Sequence, residues 1–213
     1  MINEPISPYK NLFITARPGM GASTLIANII NSYLEYGKKC LIFESVEASR
    51  FSFVERIRVI KEDLPMEEAC PWVVEQRGLV VMYNIFFECD ILLKLVDEYE
   101  ADVIVYEAPK ALRNQGRELV RFAEELKRRG KIFIFATHLK RRRNLLLGTE
   151  IHRPTLSKHK KAIFYFDATV IPYSSAYYGK NGGEDIRIYE KGSKSFRSVP
   201  VEIDFSRQRI IKK

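Results

Sequence analysis

The sequence predicts an α/β fold with a mostly parallel central sheet and flanking helices. Short, continuous apolar runs alternate with amphipathic helical patterns as far as residue 138. Continuous apolar strands are typical of parallel sheets, because helices cover both faces of such a sheet. A loop with two glycines also joins the first apolar run to the first helical pattern, an arrangement that suits phosphate binding.

The apolar runs that predict parallel strands cover residues 12–14, 40–43, 79–83, 103–106 and 132–136. Between them, apolar residues recur at helical spacing and predict helices with one buried face. Ser23 opens the first helix, which ends near Gly37, and Ser49 is a candidate cap for the second. We expect the first and third strands to lie side by side in one sheet.

Composition limits the domain organisation. The chain has 213 residues, of which 46% are hydrophobic, so it can bury a core. We predict an extended lead-in at residues 1–10 and one domain over residues 11–213. No apolar run reaches transmembrane length and the N-terminus does not resemble a signal peptide, so no membrane partner is expected. Three scattered cysteines, Cys40, Cys70 and Cys89, predict a cytoplasmic location.

The chain beyond residue 138 is polar, basic and then β-rich. A basic loop at residues 140–161 contains one acid, Glu150, and a net charge of +8 makes a polyanionic partner plausible. A strand is predicted at residues 163–173, and alternating residues predict a terminal hairpin over 183–206. The candidate DNA-binding residues of the basic loop are Lys140, Arg141, Arg142, Arg143, Arg153, Lys158, Lys160 and Lys161. A solvated loop without a ligand remains the alternative.

The glycine loop departs from the usual P-loop pattern, which is Gly, four residues, then Gly-Lys-Ser/Thr. Ala16 stands first, Gly21 closes the loop, and Ala22 replaces the lysine that would lie between the outer phosphates. The candidate nucleotide-binding residues are Ala16, Arg17, Pro18, Gly19, Met20, Gly21, Ala22, Ser23 and Thr24. An ordinary strand-to-helix turn is an equally open interpretation of this segment.

The missing lysine predicts weaker nucleotide chemistry. The backbone cradle can still form, and the Ser23 hydroxyl can still hold Mg²⁺. The lost charge is worth roughly 4 kcal/mol at 4 Å with an effective dielectric near 20. Nucleotide binding should therefore weaken, and phosphoryl transfer should suffer more.

These motifs together resemble the C-terminal motor domain of DnaB-type replicative helicases, a RecA-like hexameric ATPase family. The resemblance implies a RecA-like P-loop fold with a C-terminal β-hairpin, and it covers nearly the whole chain in the right order. The segments that carry it are residues 16–21, 44–49, 103–107, 136–141, 153–157 and 186–205.

The resemblance also implies roles for four side chains. Glu47 would polarise the attacking water, and Glu107 would act through water on Mg²⁺ in place of the family's aspartate. His138 would occupy the position of a γ-phosphate-sensing glutamine, and Lys194 is the best candidate for the finger that reaches a neighbouring subunit's nucleotide. Each also has a plain alternative: a capping acid, a polar strand end, a solvent-facing histidine and a solvated hairpin tip.

Two functions follow from these expectations. The first is a helicase-type motor domain that binds ATP/Mg²⁺ and single-stranded DNA but hydrolyses poorly. The second is a paralogue that docks on a hexameric replicative helicase or another replication protein, and the missing lysine together with an expected lack of the family's N-terminal helical domain favours it. A motor domain whose lysine was replaced by engineering is a third interpretation. A homo-oligomer is compatible with the first and third.

Overall fold

Within the part of the chain that the structure describes, the central feature is one nine-stranded sheet with helices packed on it. The computed structural model describes residues 9–17, 19–44, 52–62, 78–83, 85–108, 116–138, 165–175, 182–193 and 195–213. In chain order the strands are β1 (Asn11–Ala16), β2 (Cys40–Glu44), β3 (Leu79–Tyr83), β4 (Val103–Ala108), β5 (Ile132–His138), β6 (Ala168–Ser174), β7 (Glu184–Glu190), β8 (Arg197–Asp204) and β9 (Arg209–Lys212). The helices are α1 (Ala22–Glu35), α2 (Phe53–Glu62), α3 (Cys89–Glu98) and α4 (Gly116–Arg128).

The strand order across the sheet is β3-β2-β4-β5-β1-β6-β7-β8-β9. The strands from β3 to β6 pair in parallel, and those from β6 to β9 pair antiparallel. The predicted α/β fold with a mostly parallel sheet is therefore confirmed. The expectation that the first and third strands are neighbours is wrong, because β5 and β6 flank β1 while β3 lies at the far edge.

The core forms where helices cover both faces of the parallel strands. Buried aromatic rings at one level of the sheet make a row of contacts: Phe13 to Phe135 at 5.7 Å between ring centres, Phe135 to Tyr106 at 6.3 Å, and Tyr106 to Phe43 at 5.9 Å. Apolar burial of this kind is the main favourable term in folding. The burial of these rings holds in place the strand ends that carry the candidate site.

Helix α2 begins one turn later than the predicted cap implied. Ser52 caps it: the backbone N–H of Glu55 donates to Ser52 Oγ at 3.4 Å, and the backbone N–H of Ser52 donates to Glu55 Oε2 at 2.6 Å. This reciprocal pair is a capping box, which satisfies two helix-end donors at once. The observed cap is therefore Ser52, and the predicted cap Ser49 lies outside the described residues.

The C-terminal region contains more β structure than predicted. The strand expected at 163–173 begins at Ala168, because residues 165–167 form a turn and bend. The predicted terminal hairpin corresponds to β7 and β8, but β9 then adds to the edge of β8 and packs against α1. No helix among the described residues is long and apolar enough to cross a membrane.

Candidate functional site

The glycine loop turns sharply between β1 and α1. The backbone N–H of Met20 donates to the carbonyl oxygen of Arg17 at 3.2 Å, closing a turn in which Gly19 has a φ of 84°. Gly21 has a φ of 87° immediately before α1. Both φ values lie in the left-handed region that side chains disfavour, so the loop needs glycine at these two positions.

The first turn of α1 has the donors of an anion site. No side chain of the described residues caps the helix, and its first backbone bond runs from the N–H of Leu25 to the carbonyl of Gly21 at 2.8 Å. The N–H groups of Ala22, Ser23 and Thr24 therefore precede the intrahelical ladder. Such N–H groups and the helix dipole favour a phosphate. Position 22 brings only a methyl group, which is 6% exposed.

The C-terminal turn, residues 205–208 between β8 and β9, packs on this loop. A Cβ added to Gly21 would lie 3.1 Å from Ile203 Cδ1 and 3.6 Å from Phe205 Cε1. Gln208 has a φ of 50° and is 4% exposed. The end of the chain therefore forms one wall of the loop, which local sequence patterns do not indicate.

Two buried carboxylates lie side by side near this loop. The register pairs Phe43 of β2 with Tyr106 of β4, so the next residues, Glu44 and Glu107, are neighbours on the opposite face of the sheet. Their side chains are 4% and 2% exposed. Both acids thus project where α1 and α2 cover the sheet.

Burial, and to a smaller extent the nearby Glu107 carboxylate, raise the pKa of Glu44 to about 7. The backbone N–H of Phe53, which donates to Glu44 Oε2 at 3.2 Å, and the Arg56 guanidinium act in the opposite direction on this pKa. Like charges at close range disfavour simultaneous ionisation. Glu44 is therefore partly protonated at neutral pH.

The side-chain amide of Gln208 connects the first turn of α1 to Arg56, which interacts with the acidic pair. Gln208 Oε1 accepts a hydrogen bond from Thr24 Oγ1 at 2.9 Å and another from Arg56 Nη1. Asn28 also holds Gln208 in place, since its Nδ2 donates to the backbone carbonyl of Gln208 at 2.7 Å. Burial lowers the pKa of Arg56, while Glu107, Glu44 and Glu55 raise it.

The structure brings together part of the predicted site. Ala16 to Ser23, apart from Pro18, surround the helix N-terminus, and Glu107 lies in the buried strand β4. The backbone of His138 pairs with Ala16 at the ends of β5 and β1, so the predicted sensor position adjoins the start of the loop. Outside the described residues lie Pro18, Glu47, Lys194 and the eight basic residues Lys140, Arg141, Arg142, Arg143, Arg153, Lys158, Lys160 and Lys161.

Sequence reasoning gave no role to Glu44, Arg56 or Gln208. A signal existed for Glu44, because it follows an apolar run as Glu107 does. Arg56 and Gln208 carried no local signal, since their partners lie far along the chain. Their roles depend on tertiary contacts.

Protein donors for Mg²⁺ are few here. Among the described residues, no three His, Cys, Asp or Glu side chains are grouped to hold a metal ion. Ser23 is half-buried at the start of α1, and Glu107 lies on the neighbouring part of the sheet. Magnesium in phosphate sites commonly takes one or two protein oxygens together with substrate phosphates, so this donor set fits a nucleotide-borne Mg²⁺.

Comparison with solved structures identifies the fold. An ATPase domain matches at a TM-score of 0.71 and 12% identity, covering 95% of this chain and 84% of that one. A DnaB-like replicative helicase, in a structure that describes its interactions with primase, matches at 0.72 and 12%, with 95% of this chain spanning 57% of that one. A KaiC-like protein from Pyrococcus horikoshii OT3 matches at 0.62 and 15%, covering 96% and 90%.

These likenesses define the class of fold. The chain has the RecA-like α/β fold of DnaB-like helicase ATPase domains. No protein-family model matches the sequence, and no curated protein matches it. The loop, the acidic pair and the helix N-terminus described above lie on this fold.

Proposed function

We propose that this chain is a DnaB-helicase-like protein of DNA replication that binds single-stranded DNA. It binds ATP/Mg²⁺ weakly or has lost the ability to bind it, and it hydrolyses ATP poorly or not at all. It acts as a paralogue or adaptor of a hexameric replicative helicase or of another replication protein. One observation carries this proposal. The phosphate cradle keeps its left-handed Gly21 and uncapped helix start, while position 22 is alanine.

Different groups of the loop would bind different parts of a nucleotide and its metal ion. The N–H groups at the start of α1 would bind phosphate oxygens, and the Ser23 hydroxyl would face the metal. A bound Mg²⁺ would offset charge on the outer phosphates. Glu107 would hold it through water, and either Glu47 or Glu44 would orient the attacking water.

The missing lysine, rather than the acidic pair, supports slow hydrolysis. A general base works best when it is ionised and its pKa lies near the working pH. Burial and the neighbouring Glu107 bring the pKa of Glu44 to about 7, which suits a general base. The expected loss of rate therefore comes from the charge stabilisation that a lysine at position 22 would supply.

ATP hydrolysis tests the proposal directly. We expect turnover well below ordinary motor rates, about 1–100 s⁻¹, with or without single-stranded DNA. The Ala22→Lys variant is the matched comparison, because it restores the usual motif. Motor-rate hydrolysis by the unaltered protein would overturn the proposal.

DNA binding has its own test. Affinity for an oligonucleotide should fall with salt, at a log–log slope of about −0.7 for each phosphate neutralised on a single strand. Replacing Arg141, Arg142 and Arg143 with serine should reduce the slope by about 2. A control with serine at exposed Lys38, Lys94 and Lys212 should leave it unchanged. A flat slope in the unaltered protein would remove the basic loop from the proposal.

A second candidate function is an ATP-dependent replicative helicase motor domain with residual or engineered-out activity. The observation that favours it is the retention of Ser23 and of a buried carboxylate at Glu107. Light scattering separates the two, since a motor would assemble into a ring and an adaptor would not. Ring formation together with DNA-stimulated ATPase in the Ala22→Lys variant would favour the motor.

A further inference from the structure

We propose that Arg56 provides the positive charge that position 22 lacks, so that the candidate nucleotide site has an arginine on α2 where a P-loop has its lysine. This inference rests on the nucleotide-binding part of the proposed function. It follows from where Gln208 and the acidic pair hold the guanidinium.

The first support is position. Arg56 Nη1 donates to Gln208 Oε1, and the same oxygen accepts the bond from Thr24 Oγ1 at 2.9 Å. The guanidinium is therefore two hydrogen bonds from a residue in the first turn of α1. A planar guanidinium has five N–H donors, so it can hold Gln208 and also donate to an anion.

The second support is the charge around it. Glu107, Glu44 and Glu55 all interact electrostatically with Arg56, the first two as buried carboxylates. Without a cation, these carboxylates would repel phosphate oxygens at close range. Through Gln208, Arg56 thus brings a positive charge to the junction of the acidic pair with the first turn of α1, beside the proposed phosphate site.

The third support is that Gln208 fixes this cation. Its side chain is buried, and its Nε2 donates to the backbone carbonyl of Phe205 at 2.6 Å, while its backbone carbonyl accepts from Asn28 Nδ2. A side chain held at both ends loses little further freedom when a ligand binds. Gln208 is therefore a positioning residue for Arg56.

The alternative is that Arg56 only balances the buried acids. The two roles differ in ligand dependence, because a charge near the outer phosphates affects ATP more than AMP. Titration calorimetry with ATP and with AMP, both with Mg²⁺, on the full chain measures this difference. The variants are Arg56→Gln, Arg56→Lys, the double variant Arg56→Gln with Ala22→Lys, and Arg58→Gln as a control on the far side of α2.

We expect Arg56→Gln to weaken ATP binding about tenfold or more and AMP binding less than about threefold. Arg56→Lys should recover part of the loss, and Ala22→Lys should restore ATP binding in the Arg56→Gln background. Arg58→Gln should bind both nucleotides as the unaltered protein does. Equal losses for ATP and AMP, or no loss, would overturn the role of Arg56 and leave the proposed function intact.

Two further outcomes decide the remaining cases. If the unaltered protein binds neither nucleotide, the inference about Arg56 fails, whereas the proposed function, which includes a lost ATP site, stands. If Arg56→Gln does not fold in a thermal melt, the single variant Ala22→Lys still decides. A change in ATP affinity below about threefold supports a charge already present, and a gain of about tenfold or more shows that the charge was missing.

Discussion

Gly21 occupies a position where the backbone conformation disfavours a side chain and the space for a Cβ is tight. Its φ is 87°, and a Cβ there would lie 3.1 Å from Ile203 Cδ1. Gly19 has a similar φ of 84°, but no atom of the described residues lies within 4 Å of a Cβ placed there. The two glycines therefore separate the cost of the left-handed conformation from the cost of a clash.

Gly21→Ala should lower the free energy of unfolding by about 2–4 kcal/mol, from the left-handed backbone and from overpacking against the C-terminal turn. Gly19→Ala should cost only about 1–2 kcal/mol, because its Cβ would meet no neighbour among the described residues. Urea unfolding of both variants measures the difference. Equal losses would mean that Ile203 moves aside without cost.

The partly protonated Glu44 makes stability depend on pH. Its pKa is near its ordinary value of 4.5 in the unfolded chain and about 7 in the folded protein. The folded state therefore binds more protons between these values, and stability falls as pH rises from about 4.5 to 7. The full shift corresponds to about 3 kcal/mol.

Glu44→Gln should remove most of this fall, because glutamine keeps an acceptor for the Phe53 N–H and carries no charge. At pH 8 the variant should be more stable than the unaltered protein by up to about 3 kcal/mol. Urea titrations from pH 5 to 8 measure it, with Glu98→Gln, at an exposed acid on α3, as the control. A parallel pH profile in Glu44→Gln would contradict the burial of this charge.

At the scale of elements, the joint between α1 and the C-terminal strands is the least expected feature. Asn28 makes the main hydrogen bonds of this joint. Its Nδ2 donates to the backbone carbonyls of Thr24 and Gln208, both within 2.8 Å, and its Oδ1 accepts from the Ile210 N–H at 3.4 Å. Strand β9 is thereby attached to the helix that carries the phosphate cradle. Loss of these hydrogen bonds should weaken the packing of the C-terminal turn on the glycine loop.

Asn28→Ala should lower the free energy of unfolding by about 2–3 kcal/mol, because it removes bonds to two elements and leaves the Gln208 carbonyl without its donor. Asn31→Ala is the matched control on the same helix. Its amide donates to Glu35 within α1, so its loss should cost about 1 kcal/mol. Thermal or urea unfolding gives both values, and similar losses would refute the importance of the joint.

For the whole molecule, the sheet order predicts a gradient of local stability. Strands β4, β5 and β1 lie inside the parallel part and are buried, whereas β3 and β9 are the outermost strands of the described sheet. Local opening is easiest where few buried contacts must break. The candidate site therefore lies on the buried inner strands β1 and β4, while β9, which follows the C-terminal turn that packs on the glycine loop, is at the sheet edge.

Native-state hydrogen exchange should find the slowest amides in β1, β4 and β5, and faster exchange in β9. In Asn28→Ala, β9 should lose protection selectively while β4 and β5 change only with the global stability. Uniform acceleration across the sheet would show instead that β9 opens only when the whole domain unfolds.

The sequence predicted the fold well, because short apolar runs and amphipathic helices are local patterns. The strand at 40–43 and the helix from Ser23 to near Gly37 correspond to β2 and α1 within a few residues. The errors fall where the pattern was weak or non-local. Strand β9 has only two apolar residues, and the adjacency of strands depends on how the chain crosses over rather than on any single run.

By itself, the sequence determined the α/β class, the glycine loop and the loss of a cation at position 22, since each depends on residues close together in the chain. Only the tertiary structure decided that Glu44 lies beside Glu107 and that Gln208 holds Arg56 and Thr24. The physical reason is that charge and hydrogen bonding act through space. Arg56 and Gln208 are 152 residues apart in the chain but share a hydrogen bond.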